Sequence, residues 1–128
     1  MLTIVLPGEE PKSYNKILRM NRWDRNAEAQ AVKQLVASYV PEGTAPFREQ
    51  VDICILGYYQ GRRRDGCNIP AKFFIDGLLG RVIKNDSPVY VRSVTTLSRR
   101  GEPRTVICVK PVNEPTHLTA LDPILWSV

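Results

Sequence analysis

The chain has too few histidines and cysteines for the usual catalytic and zinc-binding arrangements. It contains a single histidine, His117, and three cysteines, Cys54, Cys67 and Cys108. Neither a Cys-x-x-Cys nor a His-x-x-x-His pair occurs, so a structural zinc site is not expected. His117 has no partner set for Ser-His-Asp or Cys-His chemistry and is interpreted as a surface or interface residue. Cys54 and Cys108 lie in alternating apolar segments, which predicts buried thiols rather than disulfides.

Long apolar runs are also missing. No run approaches the roughly 20 residues that a membrane-spanning helix needs. The apolar segment 2–6 is too short for a secretory signal and has no basic residues before it. These absences predict a cytoplasmic protein with reduced thiols and no membrane partner.

Length and charge set the broad class. A chain of 128 residues is most simply one domain with its own hydrophobic core. The net charge of +5 is compatible with a polyanionic partner, but it does not distinguish nucleic acid from other acidic partners.

The apolar pattern predicts an α+β fold in which two helices pack on a small mixed β-sheet. Strands are predicted at residues 2–6, 51–59 and 89–94. A further strand at residues 105–109 is predicted to return from the third as the second arm of a hairpin.

The first helix is predicted to run from an N-cap at Asp24 or Asn26 to about Tyr39. Its apolar face would be formed by Ala27, Ala31, Leu35, Val36 and Tyr39. The preceding segment 9–22 is polar and basic, and it is compatible with either a solvated loop or a phosphate-contacting arm.

The richest chemistry lies where the second strand is predicted to end. Arg62, Arg63 and Arg64 are followed directly by Asp65, and Asp86 comes about twenty residues later. Arginines bind phosphates, whereas carboxylates hold Mg²⁺, the usual catalyst of phosphodiester cleavage. The structural alternatives are a solvated arginine turn and an Asn-Asp-Ser turn that needs no metal.

A second helix is predicted between these two acidic positions, with Asn68 as its N-cap, Pro70 in its first turn and Gly80 at its end. Lys72 and Asp76 are four residues apart and therefore share a face of this helix. If the fold brings Asp76 to the other two aspartates, Lys72 could stabilise charge on a bound phosphate. A simple surface ion pair is the alternative for Lys72 and Asp76.

Several spaced elements resemble the RusA family of Holliday junction resolvases. They are Arg63-Arg64-Asp65-Gly66-Cys67-Asn68, Lys72, Asp76-Gly77-Leu78 and Asn85-Asp86-Ser87-Pro88-Val89. The opening Leu6-Pro7 and the segment Ser13-Tyr14-Asn15-Lys16 also resemble the family's first strand and the loop after it. The resemblance covers most of residues 2–110.

The resemblance implies a small homodimeric nuclease of the phage or prophage type, acting in a bacterial or phage-infected cell. Such proteins use Mg²⁺ or Mn²⁺ to cut four-way DNA junctions symmetrically. Asp65 and Asp86 would be the catalytic, metal-binding aspartates, Lys72 the motif lysine and Asp76 a further candidate ligand. DNA contacts are assigned to Arg62, Arg63, Arg64, Asn68, Arg19 and Arg22. The nuclease domain would span residues 1–112, and residues 113–128 would form a tail that packs on the domain or on the dimer partner.

The chain departs from the family motif in two ways. Cys67 stands where the motif has its second aspartate, and one extra residue lies between Asn68 and Lys72. A thiol is a poor ligand for Mg²⁺, which prefers oxygen. Two alternatives to an active enzyme therefore stay open: a junction-binding protein that has lost cleavage, and an adaptor whose basic face binds an acidic partner. Cys67 as a nucleophile is disfavoured because no base or orienting partner is visible in the sequence.

Overall fold

Four strands and three α-helices make up the described part of the chain, which is residues 1–8, 10–61 and 65–112 of a computed structural model. The elements in chain order are β1 Leu2–Pro7, α1 Tyr14–Leu18, α2 Arg22–Tyr39, β2 Val51–Tyr59, a 3₁₀ turn Gly66–Asn68, α3 Ala71–Asp76, β3 Val91–Arg100 and β4 Arg104–Pro111. The predicted combination of helices with one small mixed sheet is confirmed, but the described residues form three α-helices and not the two that were expected. Arg62, Arg63, Arg64, His117 and the tail 113–128 lie outside the described residues.

The strands form one mixed sheet in the order β1-β4-β2-β3. β2 pairs in parallel with β3 and antiparallel with β4, which in turn pairs antiparallel with β1. The predicted β3–β4 hairpin is therefore wrong, because β2 lies between these two strands. The three-residue connection 101–103 passes the end of β2, where the Gly101 amide donates to the Tyr59 carbonyl at 3.1 Å. It spans two strand spacings, roughly 9.5 Å, which a chain of this length can reach.

Both faces of β2, an inner strand of the sheet, are covered by other side chains. Seven consecutive residues, 53–59, are buried. One face belongs to the main core, where Ile53 and Ile55 pack with Val36, Phe74 and Leu78 from the helical layer. The other face carries a smaller cluster of buried residues, formed by Cys54, Leu56, Tyr58, Val106 and Cys108. A strand with a buried residue at every position is expected in the middle of a sheet.

The two strand cysteines are buried free thiols, as their apolar surroundings predict. Cys54 on β2 lies directly opposite Cys108 on β4. Burial raises the pKa of Cys54 to about 12, and the neighbouring Cys108 adds to this rise. Both thiols therefore stay protonated at neutral pH and act as small apolar side chains. Cys67, in contrast, is exposed.

The helical layer differs from the prediction at its N-terminal side. The polar segment contains a short helix, α1, whose N-cap Ser13 accepts the Lys16 amide at 3.1 Å, and Ile17 of this helix is buried. α2 begins at Arg22, because the N-cap is Asn21 and not Asp24 or Asn26. The Asn21 side chain accepts the Asp24 amide at 2.8 Å.

α2 buries less of its surface than its apolar face suggests. Among the five residues predicted to form that face, only Val36 is fully buried. Leu35 and Tyr39 are both more than 40% exposed, and Ala27 and Ala31 are exposed as well. The helix contacts the core through Val32 and Val36. The face of α2 that packs on the core is therefore rotated about the helix axis relative to the predicted apolar face.

The segment predicted as one helix from Asn68 to Gly80 is divided. Asn68 belongs to the 3₁₀ turn, and Pro70 is the N-cap of α3, which ends at Asp76. Ile69 has an extended backbone, as a residue before proline tends to have. This extended residue separates the 3₁₀ turn from α3. Gly80 lies in a following tight turn with a φ of +76°, a conformation that suits glycine.

None of the helices in the described part of the chain has the length and apolar character required to span a bilayer.

Candidate metal and nucleic-acid site

Three of the predicted site residues meet on the surface of α3. Lys72 and Asp76 lie one turn apart on this helix, and the Lys72 Nζ is 3.4 Å from Asp76 Oδ1. The same Nζ lies 3.3 Å from Asp86 Oδ2, which comes from the loop before β3. The hydrogen bond to Asp86 is the main cause that raises the pKa of Lys72, and the charge of Asp76 adds to it. Lys72 is therefore a charged ammonium group held between two carboxylates.

The Asp86 loop is fixed on both sides. Before it, Val82 and Ile83 are buried in the main core. After it, the Gln50 side-chain amide donates to the Pro88 carbonyl at 2.7 Å, and the Val51 amide donates to the Tyr90 carbonyl at 2.8 Å. These contacts hold the Asp86 side chain, which is half exposed, close to the end of Lys72.

The loop also has the turn chemistry that its sequence suggests. The Asn85 side chain accepts the Ser87 amide at 2.9 Å, bridging Asp86. The Asn85 contact shapes the loop without engaging the Asp86 carboxylate, so this turn is compatible with a role of Asp86 in the site.

Asp65 is presented by a turn that packs closely on the sheet. Its carbonyl accepts the Asn68 amide at 3.0 Å, which closes the 3₁₀ turn. A Cβ on Gly66 would lie 2.6 Å from the Thr96 carbonyl oxygen, so only glycine allows the turn to approach β3 so closely. The Asp65 side chain is exposed and makes no hydrogen bond or ion pair within the described segments. Among the described residues, therefore, none engages its carboxylate.

The donor chemistry of these residues fits a hard cation. Asp65, Asp76 and Asp86 offer carboxylate oxygens, whereas Cys67 offers only a soft sulfur. Within the described residues, no group of three or more His, Cys, Asp or Glu side chains is arranged to hold a metal ion. Mg²⁺ does not require such a group, since one or two carboxylates, waters and substrate phosphate oxygens commonly complete its coordination.

A cationic cavity lies beside the turn that presents Asp65. We call it the basic cleft; its volume is about 610 Å³, and it is lined by Glu10, Pro11, Lys12, Ser13, Asn15, Lys16, Arg19, Tyr59 and Asn68. Two residues assigned to DNA contact, Arg19 and Asn68, therefore face one cavity. Arg22 is not among its lining residues, and its guanidinium lies 6.0 Å from the ring centre of Trp23.

Lys12, Ser13, Asn15 and Lys16 are cleft residues that sequence reasoning did not assign to the site. The missed signal is Ser13 as an N-cap three residues before Lys16, because this cap starts α1 and so fixes the direction of the whole segment. Without that helix, the basic residues of the segment could not be placed relative to Asn68.

No protein-family model matches the chain, and no curated protein is significantly similar to it. The resemblance to the RusA family therefore stays a prediction from the sequence.

Proposed function

We propose that this protein is a structure-selective endodeoxyribonuclease that resolves Holliday junctions and other branched DNA by divalent-metal-dependent phosphodiester hydrolysis. The observation that supports this most directly is the 3.3 Å contact between Lys72 and Asp86. These two motif positions are 14 residues apart in the chain, and the fold brings their charged groups into contact.

Each residue has a defined role in the proposal. Asp65 and Asp86 bind Mg²⁺ or Mn²⁺, with Asp76 as a further candidate ligand. When bound, the metal supplies an activated water and positive charge beside the scissile phosphate. Lys72 places its ammonium group where negative charge develops on the phosphate oxygens. Asp76 positions Lys72 from within α3, since the two side chains are one helical turn apart.

A homodimer is part of the proposal because two symmetry-related sites would face opposed strands of a junction. On helix α2, the large apolar side chains Trp23, Leu35 and Tyr39 are 78%, 45% and 44% exposed, and in such a dimer they would be candidates for the interface. The protein would act in the cytoplasm of a bacterial or phage-infected cell.

The enzymatic proposal predicts that the purified protein nicks a synthetic four-way DNA junction when Mg²⁺ or Mn²⁺ is present, and that EDTA abolishes nicking. A linear duplex with the sequence of one junction arm serves as the matched substrate and should stay largely intact. A protein that binds the junction without cutting it would contradict the enzymatic proposal. Equal affinity for branched and linear DNA would instead favour the adaptor alternative.

The second candidate function, junction binding without cleavage, is favoured by one specific observation. Cys67 is exposed in the same short turn as Asp65, so a sulfur occupies a position where a carboxylate oxygen would be expected to reach the metal.

Replacing Cys67 with aspartate distinguishes the two candidates. If the site is degenerate, Cys67→Asp should raise cleavage by about 10-fold or more, because a lost oxygen ligand is restored. If Asp65 and Asp86 suffice, the rate should change by less than about threefold. Cys67→Asn is the control, since it introduces a polar group of the same size without a charge. Equal stimulation by both variants would exclude metal ligation as the cause.

A further inference from the structure

The basic cleft carries positive charge that has no ion-pair partner among the described residues. Lys16 lies in the last turn of α1, and Arg19 is its C-cap. Neither side chain forms an ion pair with any residue in the described ranges. Lys12, in contrast, is paired with Glu28 of α2 at 2.8 Å. Among the described lining residues the one carboxylate is that of Glu10, which accepts the Gln60 backbone amide at 2.8 Å. Lys16 and Arg19 therefore face the cavity as cations without an ion-pair partner in the described ranges.

The cleft is continuous with the proposed catalytic segment. Asn68, in its wall, is the last residue of the turn that starts directly after Asp65. Tyr59, also in the wall, is the last residue of β2. A ligand in the cleft would consequently lie against the same turn that presents the Asp65 carboxylate.

The side chains that line the basic cleft are suited to contact the phosphate groups of a nucleic acid and not its bases. Ser13, Asn15, Lys16, Arg19 and Asn68 all carry hydrogen-bond donors of the kind that contact phosphate oxygens. The only aromatic residue of the lining is Tyr59, which is 3% exposed, so its ring offers no free face for base stacking. Recognition in the cleft would therefore be independent of sequence.

We propose that the basic cleft binds the phosphodiester backbone of one DNA strand next to the cleavage site, with Lys16 and Arg19 as its phosphate contacts and with Lys12 kept out of contact by Glu28. This inference rests on the proposed function, because it assigns the path of the substrate at the same site.

The test is the salt dependence of junction binding, measured by fluorescence anisotropy with a labelled four-way junction in EDTA, so that no cleavage occurs. Each lost phosphate contact should reduce the slope of log K against log salt by about 0.9. Lys16→Gln and Arg19→Gln should each weaken binding and show this reduction, so the affinity that each variant loses between 50 and 200 mM salt should be about 3.5-fold smaller than the wild type loses. Lys33→Gln is the matched control, because Lys33 is exposed on α2 and does not line the cleft.

Glu28→Gln provides a test in the opposite direction. Removing the carboxylate frees Lys12 to contact phosphate, so binding should strengthen and the salt slope should steepen by about 0.9. The affinity lost between 50 and 200 mM salt should then be about 3.5-fold larger than in the wild type. Circular dichroism of each variant checks that α1 and α2 are retained.

The outcomes separate this inference from the proposed function. If the wild type binds and cuts junctions but Lys16→Gln and Arg19→Gln match Lys33→Gln, the cleft inference is overturned while the nuclease proposal stands. If the wild type cuts junctions and all the cleft variants shift as expected, both are supported. If the wild type binds no DNA at any salt concentration, both are overturned. Equal weakening by inorganic phosphate and by DNA competitor at the same phosphate concentration would indicate a site for a free anion and would also overturn the inference.

Discussion

The substitution Asp86→Asn is expected to lower metal-dependent junction cleavage by about 100-fold or more, because the variant loses a direct ligand of the proposed catalytic metal. Asp65→Asn should have a similar effect for the same reason. Neither change should weaken DNA binding, since each removes a negative charge from a surface that binds a polyanion. The measurement is single-turnover nicking of a four-way junction in Mg²⁺, with junction affinity determined separately in EDTA.

Three further substitutions show whether the loss comes from the metal or from Lys72. Asp76→Asn removes one of the two carboxylates that hold Lys72 but leaves the Asp86 contact, so it should cost less than Asp86→Asn. Lys72→Met removes the ammonium group and should lower the rate without changing the metal concentration needed for half-maximal activity. Glu49→Gln, at an exposed position before β2, is the control for a lost surface carboxylate. Wild-type rates in both Asp65→Asn and Asp86→Asn would end the nuclease proposal.

The parts of the fold that could be predicted are those with a strong local pattern. The full length of β2 is predictable because Val51, Ile53 and Ile55 recur at every second position, and the segment continues through Tyr59 to an arginine-rich turn. The buried state of Cys54 and Cys108 followed from the same kind of pattern. Lys72 and Asp76 were placed on one helix face because four-residue spacing fixes that relation in any helix.

The parts that could not be predicted depend on long-range pairing or on weak local signals. Nothing in β3 or β4 alone indicates that β2 lies between them, since a short connection with Gly101 and Pro103 is typical of a hairpin. α1 has only five residues, too few to show a clear apolar period. Likewise, Lys72 and Asp86 are linked in the sequence only by a resemblance to a motif, whereas their contact depends on how α3 and the loop before β3 pack on the core.

The substitution Gly77→Ala is expected to destabilise the protein by about 1–3 kcal/mol, although alanine forms helix more readily than glycine does. Gly77 follows α3 with a φ of −71°, so its backbone alone does not require glycine. An added Cβ, however, would lie 2.5 Å from the Cβ of Val36 and 2.9 Å from the Lys33 carbonyl oxygen. Val36 is fully buried and the carbonyl belongs to α2, so neither neighbour can move without shifting one helix against the other.

The matched control is Gly61→Ala, because a Cβ there meets no atom within 4 Å and the backbone φ is not positive. Urea unfolding should show that this control changes the free energy of unfolding by no more than about 0.5 kcal/mol.

Gly77→Ala should also lower cleavage under conditions where the variant is folded, because α3 carries Lys72 and Asp76 and would be displaced. A misplacement of about 1 Å can cost 100-fold in rate. Junction binding through the basic cleft should persist, because no cleft residue belongs to α3 or α2. Equal unfolding free energies for the two alanine variants would show that the α2–α3 contact is looser than the distances indicate, and α3 could then not serve as a rigid support for Lys72.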